Sequence, residues 1–240
     1  MIRRRSLAST CNGVPLRRWF LLSAALMTMA AVTAHATPSA ELVVREVQKR
    51  YEATNDFTAD VRQEMTIASL ERTLTARGTV SYKKPGRLRW QLEGADGQVI
   101  VADGSNLWLY QPEERQVLKA PFESAFRASA PISFLLGVGH IVDDFEFSIE
   151  PGGGEPAGGT PEPLTWLKLI PRQGDGALGW LRLGVTRHTF DIGIAEIHDQ
   201  VGNVTRLQFS NMKRNVGLDD GLFRFQVPDG IDVVEAPIGF

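Results

Sequence analysis

The feature that most restricts this chain is a period of two, repeated in about a dozen short runs. FTADVRQEMTIAS, LTARGTVSYKK, RLRWQLE, GQVIVADG, NLWLYQP, RQVLKA, FEFSIE, LTWLKLIPR, ALGWLRLGV, FDIGIAEIHD, NVTRLQFSNMK and LFRFQVP alternate apolar with polar side chains, and most are divided by Gly, Pro, Asn or Asp. Such alternation lays one set of side chains on each face of a β-strand, and strands this close in sequence pair antiparallel. Asp103-Gly104 stands between two apolar runs as a hairpin turn. A meander of that many strands is too long to stay flat, so the fold expected is mostly β with some α: a single, strongly curved antiparallel sheet forming an incomplete barrel.

SYKKPGRLRWQLE, residues 81–93, shows what the two faces are for. Leaving a Pro-Gly turn, Arg87, Arg89 and Gln91 share one face while Leu88, Trp90 and Leu92 share the other. The apolar face packs either against the protein itself or against something the protein carries.

Helical signals are few. Ser39 caps a helix from Ala40 to about Thr54, with Glu41 near its positive end and Val43, Val47, Arg50 and Tyr51 at spacings near three and four. A second helical stretch runs from Phe122 to about Arg127. A third, ISFLLG, follows Pro131 and stops at a glycine. Its Ile132, Phe134, Leu135 and Leu136 leave almost no polar face, so it must be covered on nearly every side. PGGGEPAGGTPEP, residues 151–163, reads as a loop inserted between paired strands.

Residues 1–36 read as a cleavable export signal, leaving residues 37–240 as one domain. Arg3, Arg4, Arg5, Arg17 and Arg18 precede the apolar run WFLLSAALMTMAAV, and Ala34-His35-Ala36 places small residues where signal peptidase reads them. RRWFL resembles a twin-arginine core as well as fitting ordinary secretion. The leader takes five of the 26 basic residues and none of the 28 acidic ones, so 21 face 28 in the mature chain, a formal charge of −7. No basic block survives to neutralise phosphates, which excludes a nucleic-acid partner. The single cysteine, Cys11, lies in the leader, so the mature chain has no disulfide, no thiolate and no lipidated N-terminal cysteine. The expected product is a monomer in the periplasm.

Chemistry is scarce. His140, His188 and His198 show no HExxH or HxH spacing, no GxSxG elbow occurs, and GVGHIV lacks the third glycine of a dinucleotide loop. Asp143-Asp144 and Asp219-Asp220 are neighbours in sequence, as solvated loop charges are. No metal, no cofactor and no catalytic residue is expected. Apolar wall is present in quantity: Trp90, Trp108, Trp166 and Trp180 with Phe57, Phe209, Phe223 and Phe225 either fill the core or surround a guest.

Four motifs in register, KKPGRLRWQLE, QVIVADGSNLWLYQPEERQV, PISFLLG and LFRFQVPDGIDVV, resemble the outer-membrane lipoprotein carrier family, the LolA-type chaperones. The likeness covers nearly all of the mature chain. It implies an incomplete barrel with short helices as a lid over an apolar cavity. It implies that acylated lipoproteins are taken from an inner-membrane ABC-type releasing transporter and handed to a receptor lipoprotein at the outer membrane. A sensor or regulatory module of the same fold is the alternative that the resemblance leaves open.

The resemblance also suggests roles for residues. Leu88, Trp90, Leu92 and Ile100 would line the acyl cavity, Ile132, Phe134 and Leu135 would form the underside of the lid, and Val47 and Tyr51 would be contributed by the first helix. In the family an arginine before the Pro-Gly turn hydrogen-bonds lid backbone and holds the empty cavity closed. Lys84 occupies that position here, and a rotatable point charge in place of a planar fork implies a weaker latch. Such a carrier is physically necessary. At about 0.8 kcal/mol per methylene, three chains of about fourteen methylenes cost on the order of 30 kcal/mol to expose to water.

Overall fold

The computed structural model describes residues 39–94, 97–122, 141–151, 162–172 and 178–236. Helix α1 spans Ala40–Glu52 and starts where its cap predicts, with the Ser39 hydroxyl oxygen accepting from the Leu42 N–H at 3.3 Å. Its Val43, Val44 and Val47 are buried on one stripe. The strands are β1 (Asp56–Ile67), β2 (Arg72–Lys83), β3 (Arg87–Leu92), β4 (Val99–Asp103), β5 (Asn106–Gln111), β6 (Gln116–Pro121), β7 (Phe145–Ile149), β8 (Leu164–Pro171), β9 (Leu178–Thr186), β10 (Ile192–Asp199), β11 (Val204–Arg214) and β12 (Asp232–Glu235). A one-turn helix α2, Ile141–Asp144, leads into β7.

All twelve strands form one sheet in the order β12-β6-β5-β4-β3-β2-β1-β11-β10-β9-β8-β7. Two meanders are joined by pairing of β1 with β11, and among the described residues β12 and β7 are the edges, so the sheet is open. Every pair is antiparallel except β12 with β6. The sheet nevertheless curls. Leu88 and Ala102 of β3 and β4 share one apolar cluster with Leu167, Leu169, Leu181 and Leu183 of β8 and β9, which lie at the far end of the strand order. The valines of α1 join the same cluster and cover its concave side. Each Leu or Val so enclosed contributes about 1.5–3 kcal/mol.

Close strand approach accompanies the bend. A Cβ on Gly78 of β2 would lie 1.9 Å from the Gln91 carbonyl oxygen of β3, so only glycine fits there.

The run LFRFQVP departs from the expectation of a strand. Asp220–Phe223 forms a 3₁₀ turn, and the following residues make no ladder before β12. Residues 215–231 instead form a strap over the outer face of β3–β5: Phe223 is 1% exposed, and Phe225 stacks on Trp108 of β5 at 5.7 Å between ring centroids. Alternating side chains suit a segment lying across a sheet as well as one inside it, which is why the pattern misleads. The outer face is apolar at β4 and β6, where Val101 and Val117 are fully buried.

Polar groups fasten the strap. The Asp56 carboxylate accepts from the N–H groups of Val216, Gly217 and Leu218 at 2.8, 3.0 and 3.3 Å. Lys83 donates to the Leu218 carbonyl oxygen at 2.6 Å and pairs with Asp220 at 2.7 Å, and Arg87 reaches the same carboxylate at 3.4 Å. The basic residues alternating with Leu88 and Trp90 thus hold chain against the outer face as well as keeping it polar.

Candidate functional site

The concave face carries the candidate site. Val80, Trp90, Ile100, Leu109 and Leu118 stand opposite one another on five successive strands. Val80 is 1% exposed, whereas the other four are only half-buried. Leu92 and Leu107, on the same face, are half-buried too. The wall is therefore closed near β2 and accessible from β3 towards β6. Apolar side chains aligned in this way offer a surface for hydrocarbon, which needs area and no directed partner.

The residues suggested by sequence divide. Val47 and Leu88 are 0% and 2% exposed and pack in the core, while Tyr51, Trp90, Leu92 and Ile100 are half-buried at its margin. Ile132, Phe134 and Leu135, with the rest of the expected lid, lie outside the described residues. Leu107, Leu109 and Leu118 belong to the wall and were not expected there. Their signal was cross-strand pairing: a hairpin at Asp103-Gly104 sets Ile100 opposite Leu109.

Of the four strand tryptophans only Trp90 faces inward, where it meets Phe209 edge-on at 6.3 Å. Trp108 lies under the strap. Trp166 packs with Leu164 and Ile194 on the outer face, with the Arg182 guanidinium 4.2 Å from its ring, and Trp180 stacks on His198 at 3.5 Å.

One end of the wall is bounded by α1. Lys84 donates from Nζ to the carbonyl oxygens of Tyr51 and Glu52 at 2.9 and 3.0 Å at the helix C-terminus, where the Tyr51 oxygen also accepts from the Thr54 N–H at 3.1 Å. Gly86 follows with φ +59, and the Phe122 ring fills the space its Cβ would need, at 2.9 Å. An open cleft of about 620 Å³ runs beside this turn, lined by Tyr82, Lys84, Asp103 and Phe122 among others.

Electrostatics reinforces the helix end. The Asp191 carboxylate bridges Arg50 of α1 at 2.8 Å and Arg214 of β11 at 2.9 Å. Burial pushes the Tyr51 hydroxyl far up, Arg214 opposing, and burial also lowers Arg214 against the pull of Asp191. At the hairpin, burial raises the Asp103 carboxyl but is outweighed by hydrogen bonds from Asn106, Trp108 and Ser105, which hold it below its ordinary value. Among the described residues no group of three or more His, Cys, Asp or Glu side chains is placed to hold a metal ion.

An open curled sheet with one half-exposed apolar wall is the geometry on which the comparisons bear. The profile of the family described as Outer membrane lipoprotein carrier protein LolA matches residues 52–226. The chain belongs to the LolA family. An outer-membrane lipoprotein carrier protein of Methylobacillus flagellatus is 30% identical over 193 residues, covering 80% of this chain and 88% of the relative. One from Dechloromonas aromatica is 27% identical over 214 residues, covering 89% and 95%. Among solved structures, an uncharacterised conserved protein of Thermus thermophilus superposes with a TM-score of 0.50 at 16% identity, covering 82% of this chain and 98% of that one, which speaks for a shared fold alone.

Proposed function

We propose that this LolA-family chain is a periplasmic carrier that shields the acyl chains of lipoproteins between the two membranes. The observation that carries the proposal is the concave row Trp90, Ile100, Leu109 and Leu118, apolar and half-exposed on the inner side of an open sheet. In this reading residues 1–36 are removed on export, an ABC-type transporter in the inner membrane supplies the acylated protein, and a receptor lipoprotein at the outer membrane receives it. Transfer is a matter of affinity, without catalysis. Apolar contact is undirected, so chains of varied shape bind and slide out without breaking hydrogen bonds.

Lys84 acts as the latch at the α1 end, in the place of the family's arginine. Its two bonds to helix carbonyls favour the docked helix and are exchangeable with water at little cost. Purification of the protein from the periplasm followed by mass spectrometry tests the reading. Diacyl or triacyl peptides should accompany it, and consistent absence of acylated species from protein isolated under non-denaturing conditions would count against a carrier.

A further inference from the structure

A small cavity beneath the end of α1 adds a subsite to this picture. It has a volume of about 30 Å³, and its apolar walls are Phe57, Phe190, Ile192, Phe209 and Met212, with Tyr51 at one side. Phe209 ties it to the acyl wall, because the ring that lines the cavity also meets Trp90. Beyond it stands the Arg50, Asp191 and Arg214 ion cluster, which hydrocarbon does not displace. Protein interiors are close-packed, and an apolar-walled space with room for about one small group is a place where guest atoms replace missing contacts.

Resting on the carrier reading, we infer that this cavity seats the terminal methyl of an acyl chain lying along Trp90, and that the ion cluster behind it sets the longest chain accommodated. The side chains around the cavity are therefore specificity determinants for chain length. Phe209 forms the passage, Met212 and Ile192 fix the depth, and Asp191 holds the floor in place by bridging the helix to the sheet.

The test is a chain-length profile. Straight-chain fatty acids of graded length displace an apolar fluorescent dye from the purified full-length mature protein, and the length beyond which affinity stops rising is read. Met212→Ala, at a half-buried position, deepens the seat and moves that limit outward by about one or two carbons, the change expected for a gain of roughly one small group's volume. Ile192→Phe fills it and moves the limit inward. Phe209→Leu, which opens the passage with a smaller volume change, supplies a second enlarging variant if Met212→Ala does not fold. A limit that stays put in folded enlarging and filling variants alike overturns the inference and leaves the carrier reading standing. A wild-type protein that binds neither fatty acids nor a diacylated lipopeptide overturns both.

Discussion

Lys84 donates from Nζ to the backbone carbonyl oxygen of Tyr51 at 2.9 Å, joining the turn before β3 to the last residues of α1. The interaction is charge-assisted and lies at the margin of the concave apolar wall. Replacement by leucine removes it together with the bond to Glu52, at a cost of about 1–2 kcal/mol in denaturant unfolding. In a reconstituted transfer assay Lys84→Leu changes release to the receptor more than capture from the transporter, and Lys84→Arg, with a planar fork for the same carbonyls, holds the helix end more firmly than wild type. Unchanged transfer rates for Lys84→Leu remove the latch assignment.

Asp56 satisfies three backbone N–H groups of the strap from a site 4% exposed. Asp56→Ala leaves those donors without their acceptor and lowers stability by about 2–4 kcal/mol. Hydrogen exchange should accelerate in residues 215–226 well before it does in β1 and β2. Uniform loss of protection across the sheet would show that the strap and the barrel melt as one unit.

Much of this architecture was legible because period two survives folding. The alternation of Leu88, Trp90 and Leu92 with Arg87 and Arg89 gives the correct faces, and Ser39 starts α1. What period two does not specify is the partner of a face. Phe223 and Phe225 alternate like strand residues yet lie across the outside of the sheet, and Trp108, Trp166 and Trp180 alternate like Trp90 yet point away from the concave side. Membership of the wall is hidden for a related reason: Leu109 and Leu118 join it through register, a property of strand pairs. Lys84 was singled out through family likeness, and its bonding to α1 depends on tertiary placement that local spacing does not encode.

Trp90 and Trp180 make opposite predictions. Trp90→Ala, on the concave face, lowers affinity for a fluorescent diacyl lipopeptide about tenfold, the loss expected for an aromatic contact of this size. Trp180→Ala, on the outer face, leaves that affinity within about twofold. Titration of both variants decides the matter, and equal losses would contradict the assignment of faces.

His198 gives the fold a pH dependence. Burial lowers its pKa, Glu196 and Glu150 oppose that, and Arg182 and Lys168 add to it; the Trp180 ring covers one face. The neutral imidazole is thus favoured in the folded protein. Its contribution to stability is present above the ordinary histidine value and is lost as pH falls from there towards the depressed folded value. Melting temperatures recorded between pH 8 and pH 5 should fall on the acid side, and His198→Gln should flatten that part of the curve. A curve unchanged by the substitution would assign the acid sensitivity to other groups.

The central claim is that the concave face holds acyl chains while the outer face does not. A photo-crosslinking residue at Trp90 and another at Arg89, adjacent in β3 but on opposite faces, test it within one strand in living cells. Adducts with acylated lipoprotein are expected from position 90 and none from position 89. Labelling from position 89 alone, or from both positions equally, would contradict it.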